Sequence, residues 1–353
     1  MTTPQNNRPA PPTQLRLGLW GPPGSGKTTY LAALKLATMR RAEGVGNWIM
    51  SGLDDESTRF LQDSTDQLTH QRSFPTATTT DKSMLFRFTG EREVTRRNRF
   101  GRKVVEMEPI SFELDVLDVP GRRYDSDRPA PDRPQEREQD LDFGGEDLAG
   151  TQTRLAEPMS SVEQENQLLD HLQMCHGIVY LFDPERDSTE HDAFRFFHPV
   201  LDKLTERVMS QVHFNGARLP HHVAVCVTKF DQPNIYRQAQ LKGYTLMDGE
   251  PPYLPRVPND SAAEFFAMLC ADPLSNTDLV EKGLRQYFST LNYFITSSIG
   301  FYVAGNRFRA QDSLNVERVS AGKDGFRIKG RVYPINVLEP LLWLYQSILP
   351  ARP

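Results

Sequence analysis

Residues Gly21-Pro22-Pro23-Gly24-Ser25-Gly26-Lys27-Thr28-Thr29 fit the spacing G-x-x-x-x-G-K-[ST]. The chemistry that this spacing supports is capture of a phosphate chain. Glycines at 21, 24 and 26 let the backbone wrap closely around Ser25 and aim its N–H groups inward. Lys27 can reach terminal phosphates, and the Thr28 hydroxyl, with Thr29 beside it, can ligate Mg²⁺. A chance glycine turn would lack the flanks present here. Leu15 to Trp20 reads as a short buried strand, and Tyr30 to Ala37 as a helix with an apolar face. The start of that helix adds positive potential where the phosphates would lie.

The loop alone names neither base nor reaction, and would suit an AAA-type ATPase or a nucleotide kinase. Ser111 to Leu117 alternates apolar and polar residues, then runs into Asp118-Val119-Pro120-Gly121. A strand ending in D-x-x-G puts a carboxylate at the carboxyl edge of a sheet, where it can hold Mg²⁺ through water. The Gly121 N–H is then free to meet a γ-phosphate. Taken alone, the same four residues would also make an ordinary turn. An AAA-type ATPase would more often close its strand on Asp-Glu, and Val119 follows Asp118 here.

Farther along, the apolar run His221 to Val227 ends in Thr228-Lys229-Phe230-Asp231, the pattern [NT]-K-x-D. A carboxylate there can accept hydrogen bonds from the N1–H and the 2-amino group of guanine. Adenine has no such donor pair and would leave a buried carboxylate unpaired. The Lys229 stem can lie across the base plane. A fourth strand end follows at Tyr293-Phe294-Ile295-Thr296-Ser297-Ser298-Ile299-Gly300, where the backbone N–H groups of Ser297 and Ser298 could contact the guanine carbonyl.

With these motifs in order, each at a strand end, the chain resembles the Ras-like GTPases of the translation-factor-related class, from Leu15 to about Leu349. The resemblance implies a P-loop NTPase fold of the α/β class, with GTP and GDP as ligands and Mg²⁺ as cofactor. It also implies hydrolysis of GTP to GDP and phosphate, and a conformational switch read by a protein effector or GTPase-activating partner. Within that class the chain is most similar to bacterial double-GTPase proteins of conflict or defence operons, which would make the partner another GTPase. That narrower likeness rests on the Pro-Thr-Ala-Thr run, Ser-Ser-Ile-Gly and the terminal Asn-Val-Leu-Glu-Pro-Leu-Leu-Trp. Family members need one switch threonine whose hydroxyl ligates Mg²⁺ and which lets go after hydrolysis. Thr78 is assigned this role from its spacing after Pro75, with Thr76 and Thr79 as alternatives.

The catalytic set is then Lys27, Thr78, Gly121 and Arg122. Ras-like enzymes place a water-orienting glutamine directly after D-x-x-G, and here that place is Arg122, with Arg123 beside it. Arginine stays protonated and cannot act as a base. Either residue could stabilise charge from within the chain or merely contact a neighbour, so unassisted hydrolysis is expected to be slow. Pro23 removes one N–H donor from the loop. A GTP- or GDP-binding structural component with little turnover is the alternative reading, and a P-loop ATPase a distant third.

Alternating strands and helices predict a mainly parallel central sheet with helices on both faces and with insertions. Residues 1–13, rich in Pro, Asn and Thr, are expected to form a loose tail before a single domain over 14–350. Insertions are expected at about 122–161, continuing the second switch region, at 232–290, largely helical, and at 301–334, a β-hairpin. The 353 residues are 38% hydrophobic and 25% charged with a net charge of −5, ordinary globular values. No apolar run is long enough to span a membrane, and Met1 to Asn7 does not read as a signal peptide. Three scattered cysteines without metal-ligand spacing fit reduced thiols and a cytoplasmic location. A basic cluster from Arg92 to Lys103 falls on a hairpin between strands. It could meet nucleic acid or anionic lipid, but adjacent acids favour a solvated tip or a protein contact.

The base reading has a direct check in binding of GTP, GDP, ATP and XTP with Mg²⁺. Asp231→Asn should move preference from guanine toward xanthine. An unchanged guanine preference would remove Asp231 from base recognition.

Overall fold

The structure, a computed structural model, describes residues 13–22, 24–40, 47–75, 82–97, 102–118, 161–211, 217–312, 314–319 and 325–348. In chain order its elements begin with β1 (Thr13–Trp20), α1 (Lys27–Met39), β2 (Ile49–Gly52) and α2 (Asp55–Asp66), which runs on as a π-helical turn over Gln67–Gln71. There follow β3 (Lys82–Arg97), β4 (Lys103–Asp118), α3 (Ser161–Met174), β5 (Gly177–Phe182), α4 (Pro184–Glu190), α5 (Ala193–Met209) and β6 (Leu219–Val227). Next come α6 (Pro233–Leu241), the short pair β7 (Leu246–Met247) and β8 (Pro255–Arg256), α7 (Asn259–Leu269), α8 (Asp278–Tyr287) and β9 (Phe288–Ile295). A small hairpin, β10 (Val316–Arg318) and β11 (Phe326–Ile328), precedes α9 (Glu339–Ile348).

Seven strands form one sheet in the order β2-β3-β4-β1-β5-β6-β9. Strand β1 runs parallel to β4 and to β5, and β5, β6 and β9 continue the parallel set. Strands β3 and β2 add an antiparallel edge. Apolar residues occupy both faces of the central strands, as a parallel sheet covered on both sides requires. In β5, Ile178, Tyr180 and Phe182 enter one core cluster while Val179 and Leu181 enter the other. The first cluster is closed by α3, α5, α6, α7 and α8, through Leu172, Leu204, Ile235, Phe266 and Leu284. The second is closed by α1, α2 and α9, through Leu34, Leu61 and Leu344. This is the P-loop NTPase architecture expected from the motifs. Chain order reverses around β1, whose neighbours are β4 and β5, and an open α/β sheet binds ligands at the carboxyl ends beside such a reversal.

Three local features depart from the sequence pattern. The first strand after α1 is the short edge strand β2, whose four residues, Ile49–Gly52, carry too little alternation to register. The stretch between β5 and β6 holds two helices, α4 and α5. Asp183 caps α4 by accepting from the N–H groups of Glu185 and Arg186 at 3.1 and 3.2 Å. The helix then breaks at His191, whose φ is 51°. The fourth motif strand also starts earlier, at Phe288. The hairpin within 92–103 is present as β3 and β4, paired from Lys82 opposite Asp118 to Arg97 opposite Lys103. Residues 1–12 of the expected tail and most of the 122–161 segment lie outside the described residues, while Thr13, expected in the tail, opens β1.

The chain end locks the loop after β9. Ser297 and Ile335 exchange backbone hydrogen bonds at 3.0 and 2.8 Å, and Tyr333 N–H donates to Ile299 O at 2.9 Å. Gly300 makes that approach possible. Its φ is +68°, and a Cβ there would lie 1.9 Å from the Tyr333 carbonyl oxygen. Left-handed strain and the clash add, so Gly300→Ala should cost about 2–4 kcal/mol. Urea unfolding of the two proteins checks this.

Candidate functional site

The phosphate-type end of the site grows from the turn between β1 and α1. Gly24 and Gly26 hold φ of 72° and 89°, the left-handed region that a side chain would strain. Gly21 is constrained by space, since a Cβ there would come within 2.6 Å of Leu181 O and 2.8 Å of the Ser25 hydroxyl. Ser25 is fully buried, and its hydroxyl has no hydrogen-bond partner among the described residues. The Lys27 ammonium turns back across the loop and donates to Gly21 O at 2.9 Å and Pro22 O at 3.1 Å. Tyr30 N–H donates to Gly26 O at 2.7 Å, which starts the helix, and its hydroxyl ties α1 to Val337 O at 2.7 Å. Glycine conformations, a centred lysine and an orphaned buried hydroxyl together fit a phosphate ligand.

The base-type end sits two strands away. Thr228 donates to Phe182 O through both its N–H (2.8 Å) and its hydroxyl (3.1 Å), which fixes the turn after β6 against β5. Lys229 takes φ 57°, and its ammonium pairs with the fully buried Asp183 at 2.6 Å. One aspartate thus caps α4 and steadies the motif lysine. Phe230 N–H reaches Thr296 O at 3.1 Å, so the turns after β6 and β9 are joined. Asp231 is buried and accepts the Ser297 hydroxyl, while Gly300 N–H donates to that same hydroxyl oxygen at 2.8 Å. Burial pushes the Asp231 carboxyl up to about 6, and nearby Glu185 adds to the rise. The Ser297 bond and the Lys229 charge oppose it.

Both ends face one cavity of about 650 Å³, a size suited to a small-molecule ligand. Its walls include Gly24, Ser25, Gly26, Lys27, Thr28 and Thr29 on one side and Thr228, Lys229, Asp231 and Ser298 on the other. Lys27 and Asp231 therefore share a single pocket. Ser297 differs from expectation. Its N–H is committed to Ile335 O, so it serves as the buttress of Asp231, and Ser298 is the serine that faces the cavity. Asp118 closes β4 at the same carboxyl edge, directly beside β1. Thr76, Thr78, Thr79, Gly121, Arg122, Arg123 and Pro23 lie outside the described residues.

Several site neighbours have no signal in the sequence. Glu185 lines the cavity, as do Leu314, Val316, Arg318 and Phe326 from around the β10–β11 hairpin, whereas Phe74 and Pro75, also in its wall, lead into the threonine run singled out above. Arg186 brings one guanidinium nitrogen to 3.8 Å from the place a Cβ would take on Gly24. Asp192 holds that guanidinium at 3.1 and 2.5 Å. Only folding brings these residues to the motifs. Among the described residues no group of three or more His, Cys, Asp or Glu side chains forms a metal cluster, and no helix is long and apolar enough to cross a membrane.

No protein-family model matches the chain, and no curated protein matches it. Among solved structures it is similar to the S. cerevisiae Ski7 GTPase-like domain bound to GTP, at 14% identity and a TM-score of 0.32. That match covers 81% of this chain and 43% of the other, so the chain spans under half of the Ski7 structure's length. The fold stated above stands on the strand order and the loop geometry.

The raised Asp231 pKa has a sign that can be measured. Burial penalises the charged form, so this group lowers nucleotide-free stability as pH climbs from about 4 through about 6, and the full penalty holds above that. Asp231→Asn removes the charge and keeps an acceptor for Ser297. It should therefore stabilise the nucleotide-free protein at pH 7.5 by about 2–3 kcal/mol, with the gain fading toward pH 4. Thermal unfolding at both pH values checks this, and an equal or lower Tm at pH 7.5 would show that the carboxylate stabilises the fold.

Proposed function

We propose that the chain binds GTP and GDP with Mg²⁺ in this cavity and hydrolyses GTP to GDP and phosphate, switching conformation for a protein partner. The observation that carries this reading is that Lys27 and Asp231, from motifs more than two hundred residues apart, line the same pocket. In this reading the loop from Gly21 to Gly26, with Lys27 and Thr29, holds the phosphates. Asp231 reads the guanine edge, Thr228 and Lys229 frame the base, and Ser298 meets it through the backbone. Thr28, Asp118 and Thr78 would hold the magnesium ion, which supplies positive charge to the β- and γ-phosphates. The Gly121 N–H would meet the γ-phosphate.

The place of Arg122 where relatives carry glutamine favours a second reading, a nucleotide-binding component of a larger assembly with little turnover. The resemblance of the Pro-Thr-Ala-Thr and Ser-Ser-Ile-Gly runs to bacterial double-GTPase proteins would extend the first reading to a cytoplasmic partner that is itself a GTPase.

Nucleotide competition and phosphate release separate the readings. Lys27→Ala should weaken GTP binding about 10- to 100-fold, the range for losing charged hydrogen bonds to phosphate. If the chain is a GTPase, wild type releases phosphate with Mg²⁺, and both Lys27→Ala and Asp118→Ala lose that release. A wild-type protein that binds GTP and releases none supports the structural reading. Tighter binding of ATP than of GTP would end both.

A further inference from the structure

The β10–β11 hairpin has two faces, and its register decides which residues share one. Val316 lies opposite Ile328 and Arg318 opposite Phe326, so these four side chains stand on one face, while Glu317 and Arg327 stand on the other. Ile328 is fully buried against Ala32 and Leu36 of α1, against Leu68 and against Val332. That burial turns its whole face inward, and Val316, Arg318 and Phe326 duly line the cavity.

The hairpin is a fixed wall. Asn315, fully buried at its base, donates to Ile299 O at 3.2 Å and to Arg331 O at 3.1 Å, and accepts from Gly330 N–H at 2.9 Å. On its other strand, Ile328 N–H donates to Arg72 O at 2.8 Å. The wall is thus tied to the loop after β9 at one point and to the segment entering Phe74 and Pro75 at another.

Its inward surface has a mixed character. Phe326 is 58% exposed and Leu314 37% exposed, both as part of the cavity lining. Arg318 has no carboxylate partner among the described residues. Large apolar surface beside a guanidinium, opposite a phosphate loop, suits a ligand with a flat apolar part and a negative part.

We propose that the inner face of this hairpin is the outer wall of the nucleotide site. Phe326 and Leu314 cover the purine and ribose, and the Arg318 guanidinium pairs with phosphate charge. This rests on the reading that the cavity takes a guanine nucleotide. The strand-end motifs hold one side of the ligand, and the hairpin holds the other.

The test is calorimetric titration of the full-length chain with GTP and with GDP at low and high salt. Variants Phe326→Ala, Phe326→Tyr, Arg318→Ala and, from the outer face, Glu317→Ala are compared with wild type, each with a thermal melt. Phe326→Ala should weaken both ligands about 5- to 100-fold, the range for losing a stacked aromatic, and Phe326→Tyr should restore affinity. Arg318→Ala should weaken binding about tenfold at low salt and flatten its salt dependence. Glu317→Ala should bind as wild type. If wild type binds GTP and the Phe326 and Arg318 variants bind equally well, the hairpin is no part of the site and the guanine reading survives. If Glu317→Ala weakens binding as much as they do, the effect is structural and the proposal falls. Wild-type protein that binds no guanine nucleotide overturns the proposal together with the reading beneath it.

Discussion

Burying a carboxylate costs free energy unless donors surround it, and Asp231 is buried with the Ser297 hydroxyl as its side-chain donor. Much of the neighbouring structure serves to hold that arrangement. Ser297 is aimed by the Gly300 N–H and by the backbone exchange with Ile335. The Asp231 turn is fixed through Thr228 to Phe182 and through Phe230 to Thr296. Lys229 gives the group a nearby positive charge while keeping its own partner in Asp183. A carboxylate kept this way has strong demand for donors from whatever enters the cavity, and that demand is a source of selectivity.

The two ends of the pocket are placed by one sheet. Strands β1, β5, β6 and β9 are adjacent and parallel, so the turns that follow them emerge at a common edge. Their spacing is set by the sheet, about 4.8 Å per strand, and does not depend on the loops themselves. Both core clusters press on these strands from opposite sides. The stacked pair Trp20 and Phe197, with ring centroids 5.0 Å apart, anchors the end of β1 where the phosphate loop begins.

How much of this was legible in the sequence varies with how local the signal is. Glycine spacing, a lysine at the start of a helix and a charged turn after an apolar strand are all written in short windows. Lys27, Thr228 and Asp231, each picked out by such a window, line one cavity. Ser297 was assigned through its N–H, yet acts through its hydroxyl, because its pairing with Ile335 depends on a segment almost forty residues away. Asp183 and Arg186 belong to no motif in the sequence, and their relation to Lys229 and Gly24 exists only across strands. Phe326 and Arg318 sit in a short polar hairpin that nothing in the sequence connects to the phosphate loop. Strand β2 escaped notice for a different reason, its length.

The closure of the chain upon its own beginning has a consequence for biosynthesis. Tyr30 is bonded to Val337, Phe112 stacks on Tyr345 at 4.9 Å, and the wall around Val316 rests on α1. A ribosome-tethered chain that stops short of residue 312 has every motif yet lacks one side of the pocket and the helix that covers β5 and β6. Contacts spanning so much sequence form late. Assembly of the cavity therefore waits until residues 314–348 have been made, and until then one sheet face lacks the part of its cover that α9 supplies, apolar surface that a chaperone can shield.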